Sequence, residues 1–241
     1  MKRRPQIVLA LSATAVAVAA GLFAACTAAP PSAQEAGSAV TDASTPAATE
    51  GYAANPKEPA ATSKDAVNVS VLSDSHVATE GSWFRQTVQA NRVPGARAAA
   101  FVAESGATAT ALESRLDQAV AAQGMVIIQA GTNDLGAGMG SAATADSVRK
   151  LLQGVKDRGA TPILALIPPS ATKGPEVQET NRLLSEYAAR EDIGILDLTS
   201  GVAGPEGRWR DGLSDDGVHA NAAGAQVMAA AAMEQLPSLI H

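Results

Sequence analysis

A serine, an aspartate and a histidine stand where a folded chain could join them into one nucleophilic device. Ser75 lies in the tetrapeptide Ser73-Asp74-Ser75-His76, directly after an apolar run over residues 67–72. Far downstream, Asp216-Gly217-Val218-His219 sets a carboxylate and an imidazole three residues apart. A serine hydroxyl is a poor nucleophile at neutral pH unless an imidazole takes its proton, and the imidazole works best when a carboxylate fixes its tautomer. Only His76, His219 and His241 are available as bases. His76 adjoins Ser75, where folding back is awkward, and His241 is the last residue, where chains fray. His219 is therefore the expected base and Asp216 its orienter. Taken alone, an Asp-x-x-His pair more often caps a helix, here one starting near Asn221; the remaining residues reverse that preference in favour of the chemical reading.

Two more polar segments follow apolar runs. Gly131-Thr132-Asn133-Asp134 comes after residues 125–130, and Ser105-Gly106-Ala107 comes shortly after residues 98–102. An asparagine amide can donate to an oxyanion, and a glycine lets backbone approach a ligand closely. The amides of Ser75 and Gly106, with the Asn133 side chain, would supply three donors for the charge that develops on a tetrahedral intermediate. Either Gly106 or Gly131 by itself reads as a turn residue.

The order Ser75, Gly106, Asn133, Asp216-x-x-His219 resembles the SGNH/GDSL hydrolase family over residues 66–235. The resemblance implies that Ser75 is the nucleophile, His219 the base and Asp216 its partner, with Ser75, Gly106 and Asn133 forming the oxyanion hole. One departure concerns the turn. The family has Gly-Asp-Ser, and here Ser73 puts a side chain where a glycine is expected. No reacting group is lost by it.

Competing chemistries lack their motifs. There is no Gly-x-Ser-x-Gly elbow, which disfavours the ordinary α/β-hydrolase arrangement. The stretch Gly136-Ala137-Gly138-Met139-Gly140 lacks the third glycine of a dinucleotide site and reads as a flexible loop beside the site, and no Walker-type phosphate loop occurs. One cysteine and three scattered histidines do not make a typical Cys/His zinc site, so neither metal nor cofactor is expected, with carboxylate-based cation binding left open.

The N-terminus bears on location. Lys2, Arg3 and Arg4 precede an uncharged apolar stretch over residues 7–25, followed at once by Cys26, the sole cysteine. Leu22-Phe23-Ala24-Ala25-Cys26 resembles a bacterial lipoprotein signal, with Phe23 at a position that usually holds an aliphatic residue. Residues 1–25 are expected to be a signal peptide and Cys26 the lipidation site; a conventionally cleaved secretory signal and an uncleaved anchor are the alternatives. Two or more acyl chains would suffice for stable anchoring, where one is marginal. Removal of residues 1–25 takes away three positive charges and no negative ones, leaving 15 basic against 24 acidic residues, so the net charge moves from −6 to −9. A nucleic-acid partner is not expected with that balance. A lone cysteine allows no intramolecular disulfide, so the core must supply the stability. Residues 26–65, rich in Ala, Pro, Ser, Thr and Glu, carry too little apolar surface to offset ordering entropy and read as a disordered tether.

Residues 66–241 are long enough for one sizeable core. Short apolar runs at 67–72, 98–102, 125–130, 162–167 and 194–198 are nearly continuous, as in parallel strands covered on both faces. Helical patterns fall at 82–90, 108–123, 143–158, 175–190 and 222–235. The alternation predicts an α/β fold, a three-layer α/β/α sandwich on a mostly parallel five-stranded sheet of SGNH or flavodoxin-like type. Ser75, Gly106 and Asn133 would then fall beyond strand carboxyl ends, where such sheets bind ligands.

Trp83 is expected to pack rather than to line the site, and Asp74 and Asp134 to hold turns. The sequon Asn68-Val69-Ser70 falls in a strand and reads as coincidence. Arg208, Trp209 and Arg210 are expected on a loop at the rim, as able to pack as to touch substrate. The loops 136–146 and 201–215 would shape a shallow cleft suited to a short acyl group. The whole reads as an exported, membrane-tethered serine esterase on the outer face, expected to be monomeric, acting on a small ester, acylated glycan or lipid. An acyltransferase with the same triad, or a catalytically silent glycan-binding module, is the alternative.

Overall fold

In the computed structural model, residues 65–240 are described, and they belong to one unit, Ala54–His241. The expected signal segment, Cys26, all of the expected tether but Asp65, and His241 lie outside the described residues. Among the described residues no helix is long and apolar enough to cross a membrane.

Five strands form the sheet: β1 Val67–Ser73, β2 Ala96–Ala103, β3 Met125–Gln129, β4 Thr161–Ala165 and β5 Gly194–Leu196. Their order is β2-β1-β3-β4-β5 and every pairing is parallel. The near-continuous apolar runs are explained by two cores, one on each face. Val69, Val71, Ile127, Ile163 and Leu196 point to one, while Leu72, Val102, Val126, Ile128 and Leu164 point to the other. Alternation along each strand is thus present, but both faces are apolar.

Eight α-helical segments accompany the strands among the described residues: α1 Ser75–Ala78, α2 Trp83–Gln86, α3 Ala109–Leu112, α4 Leu116–Val120, α5 Thr132–Gly136, α6 Ser141–Asp157, α7 Gly174–Arg190 and α8 Ala222–Leu239. Leu112, Leu116, Leu151 and Leu184 bring α3, α4, α6 and α7 to one face. Phe84, Met228 and Leu236 bring α2 and α8 to the other. The expected three-layer α/β/α architecture is therefore present, with a sheet that is wholly rather than mostly parallel. Because β1 lies between β2 and β3, the chain leaves β1 in one direction and re-enters the sheet on its other side, opening a crevice at the carboxyl ends of β1 and β3.

Helix lengths depart from expectation where side chains compete with the backbone. The pattern over 82–90 yields only α2, because Thr87 turns out of helix at φ −117°, ψ −85° and its Oγ1 donates to Trp83 O at 2.8 Å. The pattern over 108–123 divides into α3 and α4 around a 3₁₀ turn, Glu113–Arg115. Conversely α8 runs through Pro237 to Leu239, since a proline in the last turn forfeits one helical bond without ending the helix. The sequon residues are used internally: Asn68 Nδ2 donates to Ala122 O at 2.9 Å, and buried Ser70 accepts from Ala100 N at 3.1 Å where the β1–β2 register shifts.

Candidate active site

Ser75 is the first residue of α1, immediately after β1. Asp74 caps that helix in extended conformation, its Oδ1 accepting from His76 N at 3.0 Å. As the first helical residue, Ser75 has an amide with no carbonyl to meet inside the helix, so it faces outward as a donor. Ser73, standing at the family's glycine position, ends β1 pairing with Ala103 and Gln129 and is not among the positive-φ residues. The turn therefore tolerates a Cβ there.

Ser75 Oγ lies 2.8 Å from His219 Nε2, and His219 Nδ1 lies 2.7 Å from Asp216 Oδ2. A carboxylate only accepts, so Nδ1 carries the proton toward Asp216 and Nε2 is left to accept from the serine hydroxyl. The Asp216 loop is organised by its own backbone. Asp216 Oδ1 accepts from Val218 N at 2.8 Å and His219 N at 2.7 Å, and Gly217 N donates to Ser214 Oγ at 3.0 Å. Desolvation pulls the Asp216 carboxyl upward, but the hydrogen bonds from the His219 ring and from the His219 and Val218 amides, with the His219 charge, outweigh it and hold the group well below the ordinary carboxylate range. Gly217 sits at φ 75°, and a Cβ there would come 2.5 Å from Ala171 Cβ, so this turn demands glycine on both counts. The competing reading of Asp216 and His219 as a helix cap does not hold, because Asn221 caps α8, accepting from Gly224 N at 3.1 Å.

Gly106 lies in the turn after β2 at φ +79° with open space where a Cβ would stand, so conformation rather than crowding calls for glycine. Asn133 lies on α5, whose preceding Gly131 adopts φ 119°. Asn133 Nδ2 donates one hydrogen to Ala107 O at 2.9 Å, which ties α5 to the Gly106 turn and leaves a second hydrogen. Asp134 reinforces the tie, its Oδ2 accepting from Ala109 N at 2.9 Å at the start of α3. Its expected part in a local turn is thus corrected: it holds a neighbouring helix.

Several polar groups beneath this surface were not foreseen. Burial pushes the Asp74 carboxyl up to about 7 against the opposing hydrogen bond from the His76 amide and the His219 charge, and neighbouring Asp134 adds to the rise. Asp134 is likewise raised, chiefly by desolvation. Ser73 Oγ, Asp74 Oδ2 and Asp134 Oδ1 are buried without a protein partner. His76 does not fold back on Ser75; its Nε2 bonds Thr132 Oγ1 at 3.0 Å, and its ring lies 5.3 Å from that of His219. Burial, with His219 beside it, lowers His76 to about 3, so it stays neutral. The signal for this pairing was weak: His76 and Thr132 each sit beside a marker residue at adjacent strand ends, which brings them close, but nothing in the pattern specifies the bond.

A cleft of about 260 Å³ opens beside Ser75 and His219, lined by residues from α1 through α2 and by the start of α8. Trp83 borders it but is 1% exposed and donates from Nε1 to Gln129 Oε1 at 2.9 Å, in keeping with a packing role. Neither of the loops expected to shape this cleft lines it. Arg210 instead donates to Ala203 O and Ser200 O, Arg208 pairs with Glu206 at 3.6 Å, and Trp209 packs against the core. The 136–140 stretch is partly helical, since α5 ends at Gly136. Among the described residues no group of three His, Cys, Asp or Glu side chains is placed to hold a metal ion.

The fold is shared with solved structures. A protein of the lipolytic G-D-S-L family from Desulfitobacterium hafniense is 23% identical with a TM-score of 0.59, the match covering 70% of this chain and 98% of that one. A GDSL-like lipase from Bacteroides thetaiotaomicron is 22% identical at a TM-score of 0.57, over 71% and 87% of the two chains. The psychrotrophic esterase EstA from Pseudoalteromonas sp. is 16% identical at 0.57, over 71% and 97%. No curated protein matches the sequence. The GDSL-like lipase/acylhydrolase family matches residues 48–227, from before β1 into α8. A match spanning most of the chain and all five strands places it in that family: the protein belongs to the GDSL-like lipases and acylhydrolases and is a hydrolase.

Proposed function

We propose that the protein hydrolyses carboxylic esters through an acyl-enzyme, with Ser75 as nucleophile, His219 as base and Asp216 as its orienter. The observation that carries this reading is the continuous hydrogen-bonded chain from Ser75 Oγ through His219 to Asp216, at 2.8 and 2.7 Å. His219 takes the hydroxyl proton as Ser75 attacks the carbonyl carbon, then delivers it to the departing alcohol oxygen; water repeats the sequence on the acyl-enzyme. The oxyanion is received by the Ser75 and Gly106 amides and by the second hydrogen of Asn133 Nδ2. These donors sit on three segments that follow adjacent strands, and Asn133 is already oriented by Ala107, so little reorganisation accompanies charge development.

Short acyl esters of envelope glycans, acted on outside the cell, are the proposed substrates. Aromatic residues make up only 3% of the chain, which leaves little apolar surface from which to build a long-chain acyl tunnel and supports small acyl groups. The basic residues 2–4, the apolar stretch 7–25 and Cys26 support export with lipid attachment to the membrane. The test is a series of esters of one alcohol. The specificity constant should fall from acetyl and butyryl to dodecanoyl esters below micelle formation, and a preference for the long chain would refute the short-acyl assignment. Mass spectrometry of the mature N-terminus decides the attachment: diacylated Cys26 supports it, an intact unlipidated N-terminus replaces it with an uncleaved anchor, and a cleaved unmodified one removes it.

A further inference from the structure

The cleft beside Ser75 is not symmetrical about the reacting carbon. It borders His219, Ser75, Thr79, Glu80, Gln86 and Gln226 but includes neither Gly106 nor Asn133. A tetrahedral intermediate places its oxyanion toward the amide donors, while its departing oxygen must lie within reach of the imidazole that protonates it. A cleft on the histidine side and away from the Gly106 and Asn133 donors is therefore the place for the alcohol.

Its chemistry is selective. Among the described residues no lysine or arginine lines it, and Glu80 is the only acidic one that does, exposed and without an ion pair to any of them. The nearest basic residue in sequence, Arg85, is turned away: its guanidinium donates to Ala78 O and lies 4.5 Å from the centre of the Phe101 ring. Asp215 and Asp216, on the loop that carries His219, add negative potential nearby. Quaternary ammonium ions bind best on exposed tryptophan and tyrosine faces, and the tryptophan bordering this cleft, Trp83, is 1% exposed. Carboxylate and amide side chains instead suit neutral hydroxyls, which can donate to Glu80 and exchange bonds with Gln226.

Building on the esterase reading above, we propose that this cleft is the leaving-alcohol subsite, and that Glu80 is a specificity-determining residue that admits neutral, hydroxyl-rich alcohols and rejects phosphorylated ones. The acyl group lies elsewhere, so Glu80 acts on alcohol choice and not on acyl choice.

The experiment compares 1-acetylglycerol with 1-acetylglycerol 3-phosphate, two esters that share the acyl group, for wild type, Glu80→Gln and Glu80→Lys. Wild type should favour the neutral ester by kcat/KM. Glu80→Gln should narrow that ratio by about threefold to tenfold, as expected for one partly screened charge contact, and Glu80→Lys should narrow it further or reverse it. The acetyl-to-butyryl ratio on glycerol should stay unchanged in both variants. A neutral-to-phosphorylated ratio indifferent to Glu80→Lys, an altered acyl ratio, or faster hydrolysis of acetylcholine than of acetylglycerol would each overturn the assignment. p-Nitrophenyl acetate separates the two levels. If wild type cleaves it but shows no alcohol preference, only the subsite fails; if wild type cleaves no ester, the esterase reading fails and the subsite with it.

Discussion

The two halves of the proposed triad are held in opposite ways. Ser75 stands on the core: β1, an interior strand of the sheet, delivers it, Asp74 below it is wholly buried, and His76 beside it is locked to Thr132. Asp216 and His219 stand on a surface loop, with side chains 55% and 36% exposed, and their geometry comes mainly from hydrogen bonds made within the loop, with one tie in which Gly217 O accepts from Ala171 N. The contrast separates two kinds of precision. The nucleophile is placed by tertiary packing, so changes around it should disturb fold and chemistry together. The base is placed by a local turn, so changes there should disturb chemistry alone.

The largest effect expected from this contrast is at His219. Replacing it with alanine should lower kcat/KM for a simple ester by about four orders of magnitude, because a triad acts as a unit. Thermal stability should stay within about 0.5 kcal/mol of wild type, as for an exposed substitution. A large loss of stability measured by denaturant unfolding would break the distinction.

Asn133→Ala should lower kcat by roughly 100- to 1,000-fold with a smaller change in KM, since its donor is aimed at charge present mainly in the transition state. It should also lower Tm measurably, because the bond to Ala107 joins two elements of the fold. An unchanged Tm would place Asn133 with the exposed half.

Asp74→Asn sharpens the comparison through pH. The folded carboxyl keeps its proton up to about 7, whereas the unfolded chain gives it up near the ordinary 3.8, so wild type loses stability as pH rises between those values. The variant does not titrate there. Its unfolding free energy relative to wild type should therefore rise from pH 4 to pH 8, by up to a few kcal/mol at about 1.4 kcal/mol per pKa unit. A gap independent of pH would mean that Asp74 is ionised in its buried place.

The smallest effect is expected at His76. The family's four-letter name gives leucine at this position, and His76→Leu should lower kcat by no more than about tenfold, the scale of one neutral hydrogen bond. Thr132→Val should do the same, and the double variant should cost little more than either alone, because both remove one bond. Additive losses would show that the two side chains act separately.

What the sequence disclosed followed physical rules of unequal reach. Burial on both faces writes itself into composition, so all five strands were legible to within a few residues, as was the placement of Ser75, Gly106 and Asn133 beyond strand ends. The approach of His219 to Ser75, 144 positions apart, was legible only through chemistry, because a serine without a base has no evident use. Side-chain choices were opaque. Periodicity over 82–90 could not show that Thr87 would bond Trp83 O and end the helix, nor could Pro237 reveal that α8 passes it. Arg208, Trp209 and Arg210 read as no less able to pack than to touch substrate, and the loop spends Arg210 on its own carbonyls and Trp209 on the core. Glu80 carried no pattern at all; only the cleft singles it out.

The central claim is that Ser75 is made nucleophilic by His219, and covalent labelling with a fluorophosphonate tests it without reference to any natural substrate. Wild-type protein should take up one equivalent, mapped to Ser75 by peptide mass spectrometry, and His219→Ala should react at least about 1,000-fold more slowly while remaining folded. An adduct on a different residue, or labelling of Ser75 at the wild-type rate without His219, would contradict the account.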